Sequence, residues 1–287
     1  MNEPTTVRIN DKHRVSGKGI IYFGLALFSA VALLPFMYMM ATAMTPHSYA
    51  LPYPPVLFPK SFYLDNFVLA WQSNNFGAYF LNSVKVAVIS TAITMLVSSM
   101  SAYGFARIKF PGRELLFNLF LFSMMVPPLT NLAAQFTLIK SLHLVDSYLG
   151  LILIYTGTGI AANTYFLRNF FFGLPKELEE AMTIDGGNRF TIFWHLILPL
   201  SKPALATFGI LAFSNVWDEF LLALTLIKSE GNRTLPIAIK LFEGQHLSDW
   251  SLIFAASLIA VVPILLLYII FQKYLIRGGA LDGTLKE

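Results

Sequence analysis

Few residues in this chain have the types and spacing that chemistry needs. There is no cysteine, so a disulfide, a thiolate metal site and a catalytic thiol are all excluded. The five histidines (His13, His47, His143, His195, His246) show no metal-ligand spacing, so no metal site is expected. No HExxH, GxSxG or GxxxxGK(S/T) pattern occurs, so neither hydrolysis nor ATP binding by this chain is expected, and no catalytic residue is assigned. What remains is two groups of acids in unusual places. Asp218 and Glu219 interrupt a long apolar run. Glu177, Glu179, Glu180 and Asp185 crowd a short polar segment further upstream. An Asp at the centre of a membrane helix costs about 2.5–3.5 kcal/mol, against a gain of about 0.3–0.6 for each Leu, Ile, Phe or Val. Such acids either face a polar pathway or are paired. The readings for Asp218 stand even, and Glu219 leans towards pairing with Lys228 or with backbone donors. Asn163, Tyr165, Asn215 and Trp217 are the other residues of the apolar runs with a claim to a pathway.

The elements that must carry these groups follow from composition. Of 287 residues, 56% are hydrophobic and 13% charged, against about 45–50% and 25% in soluble domains. With a mean hydropathy of +0.63, the chain reads as an integral membrane protein. The net charge of +4 comes from scattered basic residues without a stripe or stacking motif, so nucleic acid is not an expected partner. Six stretches reach the ~20 apolar residues that a membrane helix needs: Gly19–Met44, Val84–Ala106, Leu115–Ala134, Leu149–Phe172, Pro203–Ile227 and Trp250–Tyr274. Alternating strand-length segments are absent, so the expectation is an all-α bundle with six transmembrane helices. Fourteen Lys and Arg fall on one side of these spans and five on the other, which places both termini in the cytoplasm. Residues 8–18 followed by an apolar run and Ala41-Thr42-Ala43 imitate a signal peptide, but the run exceeds the usual ~7–15 residues and reads as an uncleaved first span. Within the second span, Ser90, Thr94, Ser98, Ala102 and Ala106 recur every four residues, a stripe suited to close helix packing.

Outside the spans, Thr45–Asn82 is a Pro-rich external segment leading to a short helix near Leu64–Gln72, and Lys228–Asp249 is a second external stretch. Either could contact a partner or simply connect spans. The segment 173–202 is expected in the cytoplasm. Pro175 suits a first helical turn, the glutamates after it suit the positive end of the helix dipole, and Gly186-Gly187 suits a left-handed stop. The spacing predicts a helix of about 11 residues with Leu178, Ala181 and Met182 on one apolar face. A second helix runs from about Phe190 to a stop at Leu198-Pro199. In form the first helix is a docking element, or else a helix lying at the headgroups.

At this loop the sequence resembles the permeases of binding-protein-dependent ABC importers. Glu180-Ala181-Met182, then Asp185-Gly186, then Leu196-Ile197-Leu198-Pro199 is similar to their EAA motif, with Met182 in place of the second Ala and Leu196 in place of Ile. Asn82-Ser83, Ala102-Tyr103-Gly104-Phe105-Ala106-Arg107, Phe110-Pro111-Gly112-Arg113, Leu167-Arg168-Asn169-Phe170, Trp217-Asp218-Glu219-Phe220 and Gln272-Lys273-Tyr274 extend the likeness over nearly the whole chain. All are similar to the carbohydrate-uptake branch, and the last three, the final one with the tail from Gly279 to Lys286, point to its shorter, maltose-type permease.

The resemblance implies an importer-type permease fold: a cytoplasmic segment 1–18, a six-span domain 19–275 and a cytoplasmic tail 276–287. It makes the short helix a coupling helix, with Glu180, Ala181, Met182, Asp185, Gly186, Leu198 and Pro199 serving contact with an ATPase. Glu180 would supply the charged contact, Gly186 the sharp turn and Ala181 the close approach. ATP and Mg would be bound by two partner ATPase subunits and not by this chain. A second permease would complete the path, an extracytoplasmic binding protein would deliver a sugar, and Trp217 would offer the ring an apolar platform. The competing reading is an ion-coupled secondary transporter with Asp218 or Glu219 as coupling acid.

Overall fold

The computed structural model describes residues 12–284 apart from 47, 49, 50, 52, 61 and 246–248. The N-terminal basic segment before Lys12 and the last three residues of the expected tail lie outside the described residues. Among the described residues the chain is all helical. Its contacts form two compact units, one running to Ala70 and including the segment that ends at Leu258, the other comprising Trp71–Gln245 and the chain from Ile259.

In the first unit, α1 (Lys12–Ala43) carries the first apolar run. From Gly19 to Phe36 every residue of α1 is exposed, and burial begins only at Ala41, Thr42 and Ala43 near its end. The end of α1 is tied to α2 (Asp65–Gln72), where Asn66 Nδ2 donates to the carbonyls of Ala43 and Thr45, both at 2.8 Å.

The second unit is organised around α3 (Phe76–Arg107). The four-residue stripe Ser90, Thr94, Ser98, Ala102 and Ala106 is buried. It lets α3 lie close against α6 (Tyr148–Phe172), where Ser98 Oγ donates to the Ile160 carbonyl at 3.2 Å. Between them in sequence run α4 (Arg113–Met124) and α5 (Leu132–Ser141), which meet at 94°; the expected third span ends at Ala134, whereas α5 carries on to Ser141. Pro127 and Pro128 account for the break, since neither supplies a backbone N–H to continue the ladder. After α6 come α7 (Glu177–Ile184), α8 (Arg189–Leu200) and α9 (Lys202–Trp217), with a 78° bend between α8 and α9. The expected stop at Leu198-Pro199 lies within one residue of the observed end of α8 at Leu200. A π-helical turn, Phe193–Ile197, precedes that pair. This is the adjustment expected where Pro199 removes a donor from the i→i−4 ladder.

The expected fifth span Pro203–Ile227 is also not one helix. α9 spans roughly 24 Å, short of the ~30 Å hydrocarbon core. The chain then breaks at Asp218–Phe220 before α10 (Leu221–Leu226). α11 (Leu235–Gln245) and α12 (Trp250–Thr284) complete the order. Among the described residues four helices are long and apolar enough to cross a membrane, or up to six if each bent pair counts as one span.

Hydrogen bonds fix which helix ends share a level. Where α3 begins, Asn82 Nδ2 donates to the carbonyls of Gly231 and Arg233. At the same level Asp146, between α5 and α6, receives the backbone N–H groups of Lys228 and Ser229. Where α3 ends, Arg107 reaches Leu174 and Arg168 reaches Glu114. The pair α4–α5 therefore passes from the Arg107 level to the Asn82 level instead of folding back.

Candidate functional site

The short helix after α6 is the best-defined candidate site. α7 has 8 residues, not the expected 11: Lys176 is its N-cap, so the helix starts at Glu177 and Pro175 precedes it instead of sitting in its first turn. Its end is built as the sequence suggests. Gly186 adopts φ +86°, its N–H donates to the Thr183 carbonyl at 3.0 Å, and the Gly187 N–H donates to the Met182 carbonyl at 2.9 Å. A Cβ at Gly187 would lie 2.8 Å from that same carbonyl oxygen.

The expected apolar face is divided in two. Met182 turns inward against the cluster of Ala102, Tyr103, Ala106, Leu167, Phe171 and Phe193. Leu178, Ala181 and Ile184 point outward, and Ile184 is 87% exposed. The acids divide likewise: Glu177 and Glu180 are exposed, whereas Glu179 faces the bundle. Arg107 Nε lies 2.7 Å from Glu179 Oε1, with side-chain exposures of 5% and 16%. Burial raises the Glu179 carboxyl above its ordinary value, while Arg107 and Lys176 pull it back down. Asp185, at the end of α7, is exposed, as is Pro199, and Leu198 is half-buried beside the cluster.

The pathway candidates separate into two groups. Trp217 is 3% exposed, donates Nε1–H to the Ala260 carbonyl at 3.0 Å and stacks on Phe213. It is therefore a packing residue and not an open platform. Asn163 is buried and returns its amide to the Gly159 carbonyl within α6, and Tyr165 stacks on Phe117 of α4. Asn215 and Asp218 are the two that remain exposed, three residues apart at the end of α9.

Glu219 is occupied. Its carboxylate accepts the N–H groups of Leu222 (2.7 Å) and Ala223 (3.0 Å), which the break leaves without intrahelical partners, and the Tyr155 hydroxyl at 2.6 Å. The sequence reading missed the tether of Arg168. Its guanidinium lies 3.7 Å over the Phe117 ring, and Nη2 is 3.2 Å from Glu114 Oε2. The pairing joins residues 54 positions apart, and nothing local announces it.

Residues 94–278 match the family described as the binding-protein-dependent transport system inner membrane component. The chain belongs to that family. The permease is 34% identical over 271 residues to the sulfoquinovosyl glycerol transport system permease protein SmoH of Agrobacterium fabrum, covering 93% of this chain and 95% of the relative. It is 34% identical over 270 residues to the trehalose/maltose transport system permease protein MalG of Thermococcus litoralis, covering 92% and 96%. It is 31% identical to the diacetylchitobiose uptake system permease protein NgcG of Streptomyces coelicolor, covering 91% and 87%. In fold, it is similar to a chain of a bacterial ABC transporter involved in import of the acidic polysaccharide alginate. That match has a TM-score of 0.77 and 22% identity, and covers 94% of the permease and 100% of that chain. A second match has a TM-score of 0.59 and 15% identity, and covers 90% and 91%. It is to a bacterial alginate ABC transporter in complex with an alginate pentasaccharide-bound periplasmic protein.

Proposed function

We propose that the permease forms half of the translocation path of an ATP-driven importer for a sugar or oligosaccharide, and that α7 is the element through which a separate ATPase subunit moves it. Family membership and relatives that carry glycosides and oligosaccharides support the substrate class. The observation that carries the coupling role is the two-sidedness of α7. Glu179 and Met182 anchor it to the bundle, while Glu177, Leu178, Glu180, Ala181 and Ile184 stay uncovered. A helix lying at the headgroups for its own sake would have no reason to hold apolar and acidic groups out together. A cleft on a partner would accept both.

In this reading six spans cross the membrane, with the α4–α5 and α9–α10 stretches counting as broken spans and both termini in the cytoplasm. The partners are a second, homologous permease, two ATPase subunits that bind ATP and Mg, and an extracytoplasmic sugar-binding protein. Asn215 and Asp218 supply the polar face of the path, at a break where irregular backbone is tolerated because it lines a cavity. With Glu219 committed to capping α10 and to Tyr155, an ion-coupled mechanism has lost one of its two acids.

The test is co-purification of tagged permease with its ATPase in mild detergent. Wild type should retain the ATPase, and Glu180→Lys and Gly186→Trp should lose it. Undiminished binding by both variants, or no binding by wild type, overturns the assignment.

A further inference from the structure

A docking helix does work only if its displacement reaches the spans, and the structure offers one rigid route. Arg107 is the last residue of α3, the helix that lies along both α6 and α9. Its Nη2 donates to the Leu174 carbonyl at 2.6 Å, in the turn that leads out of α6. Its Nε lies 2.7 Å from the Glu179 carboxylate on α7. A single guanidinium thus holds the turn before the docking helix and the helix itself, from within the bundle.

Stability alone is a poor reason for this arrangement. The desolvation of a buried pair offsets most of its attraction, and an apolar replacement of similar volume is often no worse. Geometry is a better reason. The guanidinium is planar, with its donors in a fixed array: the Nη2–H bond pins the Leu174 carbonyl to the α3 terminus, and Glu179 is held beside it as a close, buried ion pair whose Nε–Oε1 approach lacks hydrogen-bond geometry. Gly173 and Leu174 would otherwise form a free turn able to absorb a shift of α7. Met182 adds an apolar attachment to the same cluster, which includes Ala102, Tyr103 and Ala106 of α3. An apolar contact can slide, whereas the 2.6 Å bond to the Leu174 carbonyl cannot shift without breaking, and moving Glu179 away would leave two buried charges unpaired.

We propose that Arg107 is the positioning residue that passes displacement of α7 to α3, with Glu179 as its counterpart. The proposal rests on reading α7 as the ATPase-docking helix. It leaves the exposed Glu180 to the partner and gives the neighbouring glutamate a separate task inside the chain.

The experiment uses the assembled importer in lipid nanodiscs and ATP with Mg as the probe. The chain has no cysteine, so single cysteines placed at Ile184 on α7 and at Leu96 on α3, both exposed, can carry an environment-sensitive fluorophore. In the otherwise unchanged complex both positions should respond to ATP. In Arg107→Ala the response at 184 should change by less than about twofold, while that at 96 falls at least about fivefold. Arg107→Lys, which keeps the charge without the planar array, should be intermediate. Glu179→Gln, which leaves the Leu174 bond in place, should shift the result the same way and guards against misfolding of the alanine variant. If both positions keep their response in Arg107→Ala, or lose it in proportion, the residue is merely structural and the proposal fails. If position 184 is silent to ATP in the unsubstituted complex, the docking reading of α7 fails first.

Discussion

Two carboxylates show what single residues do here, and both do it by capping broken backbone. Asp146 sits at φ 63° between α5 and α6. It accepts the N–H groups of Lys228 and Ser229 at 2.9 Å each, and a short hydrogen bond from the Ser229 hydroxyl. The Ser229 hydroxyl and N–H, then the Lys228 N–H, hold its carboxyl at about 2, well below its ordinary value. A depressed carboxyl stabilises the fold fully above its unfolded value near 4 and loses that contribution as pH falls towards 2. The melting temperature in detergent should therefore fall over that window in wild type, and less so in Asp146→Asn. The asparagine tolerates the left-handed backbone, so at pH 7 the variant should melt only about 2–4 °C lower, the shift that ~1 kcal/mol gives in a chain of this size. At the other break, Glu219→Ala would strand two backbone donors and the Tyr155 hydroxyl. It should cost about 2 kcal/mol or more, and Glu219→Gln, which keeps one acceptor, less. The sequence flagged the oddity of Glu219 because an acid in an apolar run is costly. Trp217, its near neighbour, was not legible, since its partner is the Ala260 carbonyl 43 positions away.

At the scale of the element, α6 puts three glycines into different surroundings within ten residues. A Cβ at Gly150 would lie 2.4 Å from the Leu144 carbonyl oxygen, one at Gly159 would lie 3.0 Å from Thr94 Cγ2, and one at Gly157 would meet nothing within 4 Å. Alanine should accordingly act with opposite signs along one helix. Gly157→Ala should be neutral or stabilising by up to about 1 kcal/mol through backbone entropy. Gly159→Ala should push α6 off α3 and lower the melting temperature, and Gly150→Ala should lower it most, because backbone cannot yield as a side chain can. Melting temperatures in one detergent decide the order, and a Gly150→Ala variant as stable as wild type would refute the packing. Elements of this kind were legible wherever their cause was local. The stripe from Ser90 to Ala106 repeats every four residues, and Gly186 follows an acid-led helix, so both could be read directly. The breaks were less legible. Pro127-Pro128 is visible in the sequence as a pair that cannot continue a helix, but the 94° angle between α4 and α5 is not. The break at Asp218–Phe220 carries no proline or glycine, and its stability comes from Glu219 and Tyr155 meeting across two helices.

The whole molecule poses a topological question that these contacts sharpen. Among the described residues four helices are long and apolar enough to cross a membrane on their own, and two bent pairs are either broken spans or re-entrant loops. The hydrogen bonds favour broken spans. Asp146, after α5, meets residues 228–229, and the start of α3 meets Gly231 and Arg233, whereas Arg168 and Glu114 meet at the opposite level with Arg107 and Leu174. If α4–α5 were re-entrant, Glu114 and Asp146 would share a level, and the bond networks around them would have to coincide. The six-span reading puts residues 109 and 185 on the basic, cytoplasmic side and residues 143 and 231 outside. A four-span reading exchanges the sides of 143 and 185 while leaving 109 and 231 unchanged. Single cysteines at Lys109, His143, Asp185 and Gly231 in this cysteine-free chain can be challenged with a membrane-impermeant thiol reagent. In intact cells, positions 143 and 231 should label and 109 and 185 should not, and inverted vesicles should reverse the pattern. Labelling of 185 from outside would remove α7 from the cytoplasm and, with it, every ATPase contact assigned to Glu180. The pair 143 and 185 therefore tests the span count, the orientation and the coupling role in one measurement, because all three depend on which level of the bundle faces ATP.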